Sequence, residues 1–397
     1  MTNDKKSIIM KTQVTCFVMI SIAILFVTSS PGQTVSTFLT GGGLNGPDGF
    51  ALDGAENLFV ANWGNGSGRT ILKITPDTLT SVVDSTSDAP DGLAFDASGN
   101  LYISNYNSGR IYRMSPSGVK TQFASGLIKP SALVFDDAGN LYVSNFGSTT
   151  VSKITPGGIV STFASGFSGP LGLVFDPAGN LYVSNYNTGK IFRVLPDGTS
   201  AEFATVPSGF SSKIQYLVRG PSGNLYLPAY GHHKIYRISP AGEVSVYSGT
   251  GVPGSANGPI GTAQFNGPNS IALTALGDLY VSEYNANRIR KITGVEFPAG
   301  LDDHKNDTQL VPCSLKIFPN PFSSSVSISM APAEQGAMTV CIRDVLGKTL
   351  YQAQSCHTLS GICNLVVDAD LLDAGVYFCS LIRENRIICC RKMVCIK

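Results

Sequence analysis

The chain has 397 residues, only 14% of them charged, and its 28 Lys and Arg against 27 Asp and Glu leave a formal net charge of +1. That balance supplies no positive field for a phosphate backbone, which excludes nucleic acid as an expected partner. With 43 Gly and 22 Pro, long uninterrupted helices and coiled coils are excluded too, and an all-β chain of short strands between tight turns is expected.

Residues 1–32 read as a leader. Lys5, Lys6 and Lys11 precede an apolar run from Val14 to Val27, and the small, polar stretch from Thr28 to Gly32 follows. A run of this length falls short of the roughly 20 residues that span a bilayer, so a Sec signal peptide cleaved before Gln33 is expected rather than an anchor. No later segment is apolar for long enough to cross a membrane, and none is expected in the mature protein.

Residues 33–294 repeat one unit six times. The repeated cores are Asn57-Leu-Phe-Val, Asn100-Leu-Tyr-Ile, Asn140-Leu-Tyr-Val, Asn180-Leu-Tyr-Val, Asn224-Leu-Tyr-Leu and Asp278-Leu-Tyr-Val. Their leucines, from Leu58 to Leu279, are spaced by 43, 40, 40, 44 and 54 residues, the period of four-stranded propeller blades. The third unit predicts strands over Leu133 to Asp136, Asn140 to Asn145, Val151 to Thr155 and Ile159 to Ala164, joined by turns such as Asp136-Asp-Ala-Gly-Asn. A lone sheet of this kind would expose both faces, so the units must pack blade against blade around an axis. The sixth unit carries only three strands (Ser270 to Thr274, Leu279 to Glu283, Ile289 to Thr293). Thr34-Val-Ser-Thr-Phe-Leu closely matches the fourth strand Ile159-Val-Ser-Thr-Phe-Ala, so the mature N-terminus is expected to complete the last blade and close the ring.

The pattern Gly-Pro-x-Gly-Leu, then Phe-Asp-x-x-Gly-Asn-Leu-Tyr-Val-Ser-Asn, then a basic residue and Ile resembles NHL repeats over about residues 34–294. The resemblance implies a six-bladed propeller. It leaves the activity open, since such propellers bind proteins, glycans or nucleic acid and sometimes act as lyases or lactonases.

Five residues beyond each repeat leucine stands an aromatic: Trp63, Tyr106, Phe146, Tyr186, Tyr230 and Tyr284. Before four of them stand Asn62, Asn105, Asn145 and Asn185, with Ala229 and Glu283 in the last two units. These ten aromatic and amide residues could form platforms for an extracellular glycan, peptide or protein ligand; the aromatics could equally wedge neighbouring blades. The loops leading into the blades add Asp48, Asp91, Ser131, Leu171 and Asn269. A basic residue recurs in the third strands (Lys73, Arg113, Lys153, Arg193, Arg237, Lys291) and is expected to be solvated or paired with Asp53, Asp96, Asp136 or Asp176.

Catalysis needs asymmetry, and the repeat breaks at His232, His233 and Glu283. A His could serve as general base, while Glu283 with Asp48 could hold a divalent cation, Ca or Mg, through oxygens. That constellation is similar to the one in streptogramin lyases, although no full ligand set maps from that family or from gluconolactonase-like propellers. No cofactor is otherwise indicated.

Residues 295–312 are polar and charged and read as a linker. From 313 to 397, short alternating strands with Gly and Pro turns predict a small β-sandwich of about seven strands. Pro319-Asn-Pro321, Asp344-Val-Leu-Gly347, Ala374-Gly-Val-Tyr377 and a terminal basic residue resemble, in that order, the C-terminal sorting domain of the type IX secretion system. The resemblance implies the secretion machinery as a partner, passage through the periplasm, and release to the medium or cell surface. An immunoglobulin-like adhesive module is the rival reading. Apart from Cys16 in the leader, all the cysteines (Cys313, Cys341, Cys356, Cys363, Cys379, Cys389, Cys390 and Cys395) fall here. Four disulfides and buried thiols both remain open, and the absence of any Cys-x-x-Cys pair argues against zinc.

The expected protein is thus a secreted or cell-surface six-bladed propeller that binds a ligand at its loop face. A propeller hydrolase or lyase of the lactonase or streptogramin-lyase type is the alternative.

Overall fold

The structure, a computed structural model, describes residues 33–207, 213–274, 277–293, 295, 314–331, 339–344, 349–354, 363–383 and 386–396. The leader expected over 1–32 and nearly all of the expected linker lie outside these residues. No helix among the described residues is long and apolar enough to cross a membrane.

Among the described residues, five four-stranded antiparallel sheets run consecutively along residues 47–248. Blade one holds Pro47–Leu52, Leu58–Asn62, Ile71–Ile74 and Thr80–Asp84; blades two, three, four and five begin at Pro90, Pro130, Pro170 and Val218. The first strands of successive blades lie against one another in a closed ring, blade six meeting blade one. This inner ring is tight: a Cβ on Gly49 would fall 2.0 Å from the Asp91 carbonyl oxygen, and one on Gly92 2.1 Å from that of Ser131. A side chain at either position would therefore force the blades apart.

Every residue of each second strand is buried, because its sheet is covered on both faces by neighbouring blades. Such a strand reads as a continuous apolar run rather than an alternating one, which is the origin of the recurring Leu-Tyr-Val. The serines that follow cross to the next blade. Ser104 Oγ donates to the Ser131 carbonyl at 2.8 Å, Ser144 to Leu171 at 2.6 Å and Ser184 to Gln215 at 2.6 Å. The turn aspartates act locally. Asp136 Oδ1 accepts from the amides of Ala138 and Asn140, and Asp53, Asp96 and Asp176 repeat this arrangement. They also meet the basic stripe: Lys73 lies 3.8 Å from Asp53 and Lys153 3.9 Å from Asp136, and Lys291 pairs in the same way with Asp278 at 2.9 Å.

Blade six is discontinuous in sequence. Pro268–Leu273, Leu279–Glu283 and Arg288–Ile292 are joined by the N-terminal strand Thr34–Thr40, which pairs antiparallel with Arg288–Ile292 in the register Val35 to Ile292. A fifth strand, Gly258–Pro259, covers the outer side of Thr34 and Val35. The long 54-residue spacing before this unit is thereby explained: the extra chain folds over an edge that would otherwise stay unpaired.

Among the described residues, the C-terminal region forms seven strands in two sheets. One contains Ser314–Phe318, Ser325–Ala331 and Cys363–Asp368; the other orders Thr349–Gln354, Thr339–Asp344, Gly375–Arg383 and Arg386–Cys395. Their shared core includes Phe322, Val326, Ile328, Val340, Ile342, Val367 and Tyr377, together with Cys379 and Cys395. Cys341 is buried as well.

Candidate ligand-binding site

Each of the six aromatics is placed by one backbone hydrogen bond. The amides of Trp63, Tyr106, Phe146, Tyr186, Tyr230 and Tyr284 donate to the carbonyls of Gly46, Ala89, Lys129, Gly169, Lys213 and Gly267 at 2.9–3.2 Å, always seventeen positions upstream. All six acceptor residues have positive φ, which turns the chain into the first strand. The sixfold register therefore sets six rings at one height around the axis, and together they wall a cavity of about 300 Å³.

The rings pack edge to face or tilted against one another, with centroids 5.5–6.2 Å apart for Trp63–Tyr106, Tyr106–Phe146, Phe146–Tyr186, Tyr230–Tyr284 and Trp63–Tyr284. Every one of them is half-buried. The wedge and the platform are therefore the same residues: ring edges meet each other while part of each ring borders the cavity. Tyr284 Oη donates to Asn65 Oδ1 at 2.5 Å and Tyr230 Oη to Asn285 Oδ1 at 2.8 Å.

Asp48, Asp91, Leu171, Gln215 and Asn269 from the starts of the blades also line the cavity, and Lys213 stands in the wall. Asn269 Nδ2 donates to Asp48 Oδ1 at 2.8 Å and Ser131 Oγ to Asp91 Oδ1 at 3.0 Å. The Tyr216 hydroxyl donates to Asp91 and also bonds Asp48. Asp91 is 6% exposed, whereas Asp48, although set deep in protein, keeps an accessible face on the cavity. Burial lifts the Asp91 carboxyl to about 6. It lifts Asp48 further, helped by the Asp91 charge. Burial, with the two carboxylates adding to it, pushes the Tyr106 hydroxyl up to about 12.

A pH dependence of stability follows. Because the Asp91 carboxyl holds its proton more tightly folded than unfolded, its contribution is full below about pH 4 and is lost as pH rises through about 6. From the Asp91 value alone the change amounts to at most about 3 kcal/mol. Asp91→Asn should flatten this slope in urea titrations between pH 4 and 7; an unchanged slope would assign it elsewhere.

The amides expected beside the aromatics do not line the cavity. Asn62, Asn105, Asn145 and Asn185 are all buried. Asn62 Oδ1 accepts from the Asn45 amide and its Nδ2 donates to Gly43 and Thr70; Asn145 Oδ1 accepts from the Ile128 amide and its Nδ2 donates to Thr150 and Ser152. Asn62 and Asn145 thus hold the loops that carry the walls, whereas the Oδ1 atoms of Asn105 and Asn185 are buried without a hydrogen-bond partner among the described residues.

Glu283 occupies the same register and does the same work. Its Oε1 accepts from the Asn266 amide at 2.9 Å, again seventeen residues upstream, and it is ion-paired with Arg288 at 2.7 Å and Arg290 at 3.2 Å. His233 Nδ1 accepts from the adjacent Gly267 amide at 3.1 Å, and His232 Nδ1 lies 3.0 Å from the Tyr236 hydroxyl. His232, His233 and Glu283 thus do not converge on the cavity as a catalytic set. Nor do Glu283 and Asp48 form a cation site. Glu283 is engaged by two arginines, and among the described residues no group of three His, Cys, Asp or Glu is gathered for a metal. The residues present do not fit Ca or Mg.

Tyr216, Gln215 and Lys213 are the site residues that sequence reasoning passed over. In the fifth unit Ile214-Gln-Tyr-Leu stands where the first, second and fourth have Pro-x-Gly followed by an apolar residue. A tyrosine replacing the inner-ring glycine was the available signal.

A family model described as the virginiamycin B lyase family matches residues 77–294, and the secretion system C-terminal sorting domain matches residues 316–397. No curated protein matches the chain. Among solved structures, an auxiliary nutrient binding protein from Bacteroides thetaiotaomicron aligns with a TM-score of 0.57 at 18% identity, over 66% of this chain and 76% of its own. A gluconolactonase from Xanthomonas campestris aligns at 0.53 and 16%, over 66% and 89%. A catalytically inactive virginiamycin B lyase from Staphylococcus aureus, solved with quinupristin, aligns at 0.48 and 18%, over 62% and 80%.

Proposed function

Since the chain belongs to the virginiamycin B lyase family and ends in a secretion sorting domain, we propose that it is an exported propeller that captures a small extracellular ligand in its aromatic-walled cavity. The observation that carries this reading is that all six repeat aromatics line one cavity together with the carboxylates of Asp48 and Asp91. Glu283 and His233, two of the three residues that broke the repeat and suggested catalysis, are engaged by neighbouring amides and arginines. Nutrient-binding proteins of Bacteroides use the same fold, so it accommodates such a role. A cavity of about 300 Å³ suits a compact ligand or one residue of a longer glycan or peptide. The lyase reading is favoured by family membership, and would need its acid and base among Asp48, Asp91, Lys213 and the wall tyrosines. The route runs through the periplasm to the medium or cell surface, with the sorting domain removed on the way.

One preparation tests both halves. The protein recovered from culture medium should, by mass, end near the linker. Titrated against mono- and oligosaccharides and dipeptides, it should bind some of them, and Tyr106→Ala and Tyr186→Ala should weaken that binding about tenfold each while the melting transition stays cooperative. Collapse of the fold in both variants, or binding indifferent to both, would defeat the cavity assignment. Turnover of a lactone or a cyclic depsipeptide would replace capture with catalysis.

A further inference from the structure

The buried acids of the propeller are not alike. Asp84 pairs with Lys120 at 2.7 Å and Glu283 with two arginines. Asp48 and Asp91, close enough to share one tyrosine hydroxyl, have no ion-pair partner among the described residues, only the neutral donors Tyr216, Ser131 and Asn269. Two carboxylates brought together away from bulk water repel each other, and neutral donors offset that only in part. The cavity they line is walled by rings, whose faces carry negative charge and attract cations.

We propose that the ligand of this cavity carries an organic ammonium group, seated on Asp48 and Asp91 and enclosed by the aromatic ring. The proposal rests on the reading of this cavity as the binding site and adds the chemistry of what enters it. A hydrated metal ion would meet too few oxygens and six rings that cannot ligate it. A neutral sugar brings no charge to the pair, which is then left to relieve its repulsion by holding a proton. A substituted ammonium satisfies both surfaces, its charge facing Asp48 and Asp91 and its carbon substituents lying on the rings. Lys213 is the opposing charge in the wall, its ammonium 5.8 Å from the Tyr230 ring centroid. A second positive charge on the ligand is therefore disfavoured, and a carboxylate on its outer end is tolerated.

Calorimetric titration of the protein recovered from culture medium with choline, and with its uncharged isostere 3,3-dimethylbutan-1-ol, tests the charge requirement directly. Choline should bind at least about tenfold tighter than the alcohol. Asp48→Asn should abolish that preference, and Tyr106→Leu should weaken both ligands. Lys213→Gln should tighten choline severalfold relative to the alcohol, and it keeps the test open if the aspartate variant fails to fold. Equal affinities for the two probes, or no choline binding at millimolar concentration, would overturn the ammonium assignment. If sugars or dipeptides still bound in a Tyr106-dependent manner, the cavity would stand as the site with a different ligand class.

Discussion

Removal of Thr34–Thr40 is expected to unfold the propeller rather than trim it. These residues form the fourth strand of blade six, pair with Arg288–Ile292 on one side and Gly258–Pro259 on the other, and bury Val35 completely. Without them both flanking strands lose their ladder and blade six has an open edge facing no partner. The ring also loses the covalent continuity by which blade one is tied to blade six, so the damage spreads beyond one sheet. A loss of about 5 kcal/mol or more is expected, lowering the melting temperature by roughly 10–20 °C. Differential scanning calorimetry of the truncated chain checks this; a transition within a few degrees of the intact protein would mean the ring holds without its clasp.

Glu283→Ala is expected to be nearly as damaging, for an electrostatic reason. Arg290 is fully buried, and besides Glu283 it bonds the Gln264 and Ala256 carbonyls, the Asn257 side chain and the Ser36 carbonyl of the N-terminal strand. It thereby ties the extra strand and the closing strand to blade six. Deleting its carboxylate leaves a desolvated cation without a counter-charge, which costs about 3–5 kcal/mol. Burial pushes Glu283 up and Arg290 down, so the pair is held against a real desolvation cost. The double variant Glu283→Gln with Arg290→Met should recover most of the loss. If Glu283→Ala instead melted like the parent and lost only a chemical activity, Glu283 would be a catalytic group after all.

Glu283 also shows where sequence reading stops. Seen alone, a glutamate replacing asparagine in a repeat looks like function. The structure places Arg288 and Arg290 five and seven residues on, where blade three has Thr150 and Ser152 beside Asn145. Three positions changed together and kept one hydrogen-bond acceptor in place. The paired arginines were visible in the sequence, but their register against Glu283 has meaning only once the second and third strands are known to be antiparallel neighbours. His233 follows the same logic, capping an amide thirty-four residues away.

What the residue order settled unaided was everything that repeats: the all-β class, the six blades, the closing N-terminal strand, the sixfold register of the aromatics and the appended export domain. Periodicity reports local structure, because each blade solves the same packing problem with neighbours close in sequence. Which of those repeated side chains border empty space was decided only by the tertiary fold. Asn62 and Trp63 are adjacent in the chain, yet one is spent inside a loop and the other walls the cavity. Asp48, Asp91 and Tyr216 meet only because the ring closes, and no local pattern can encode a distance measured across the axis.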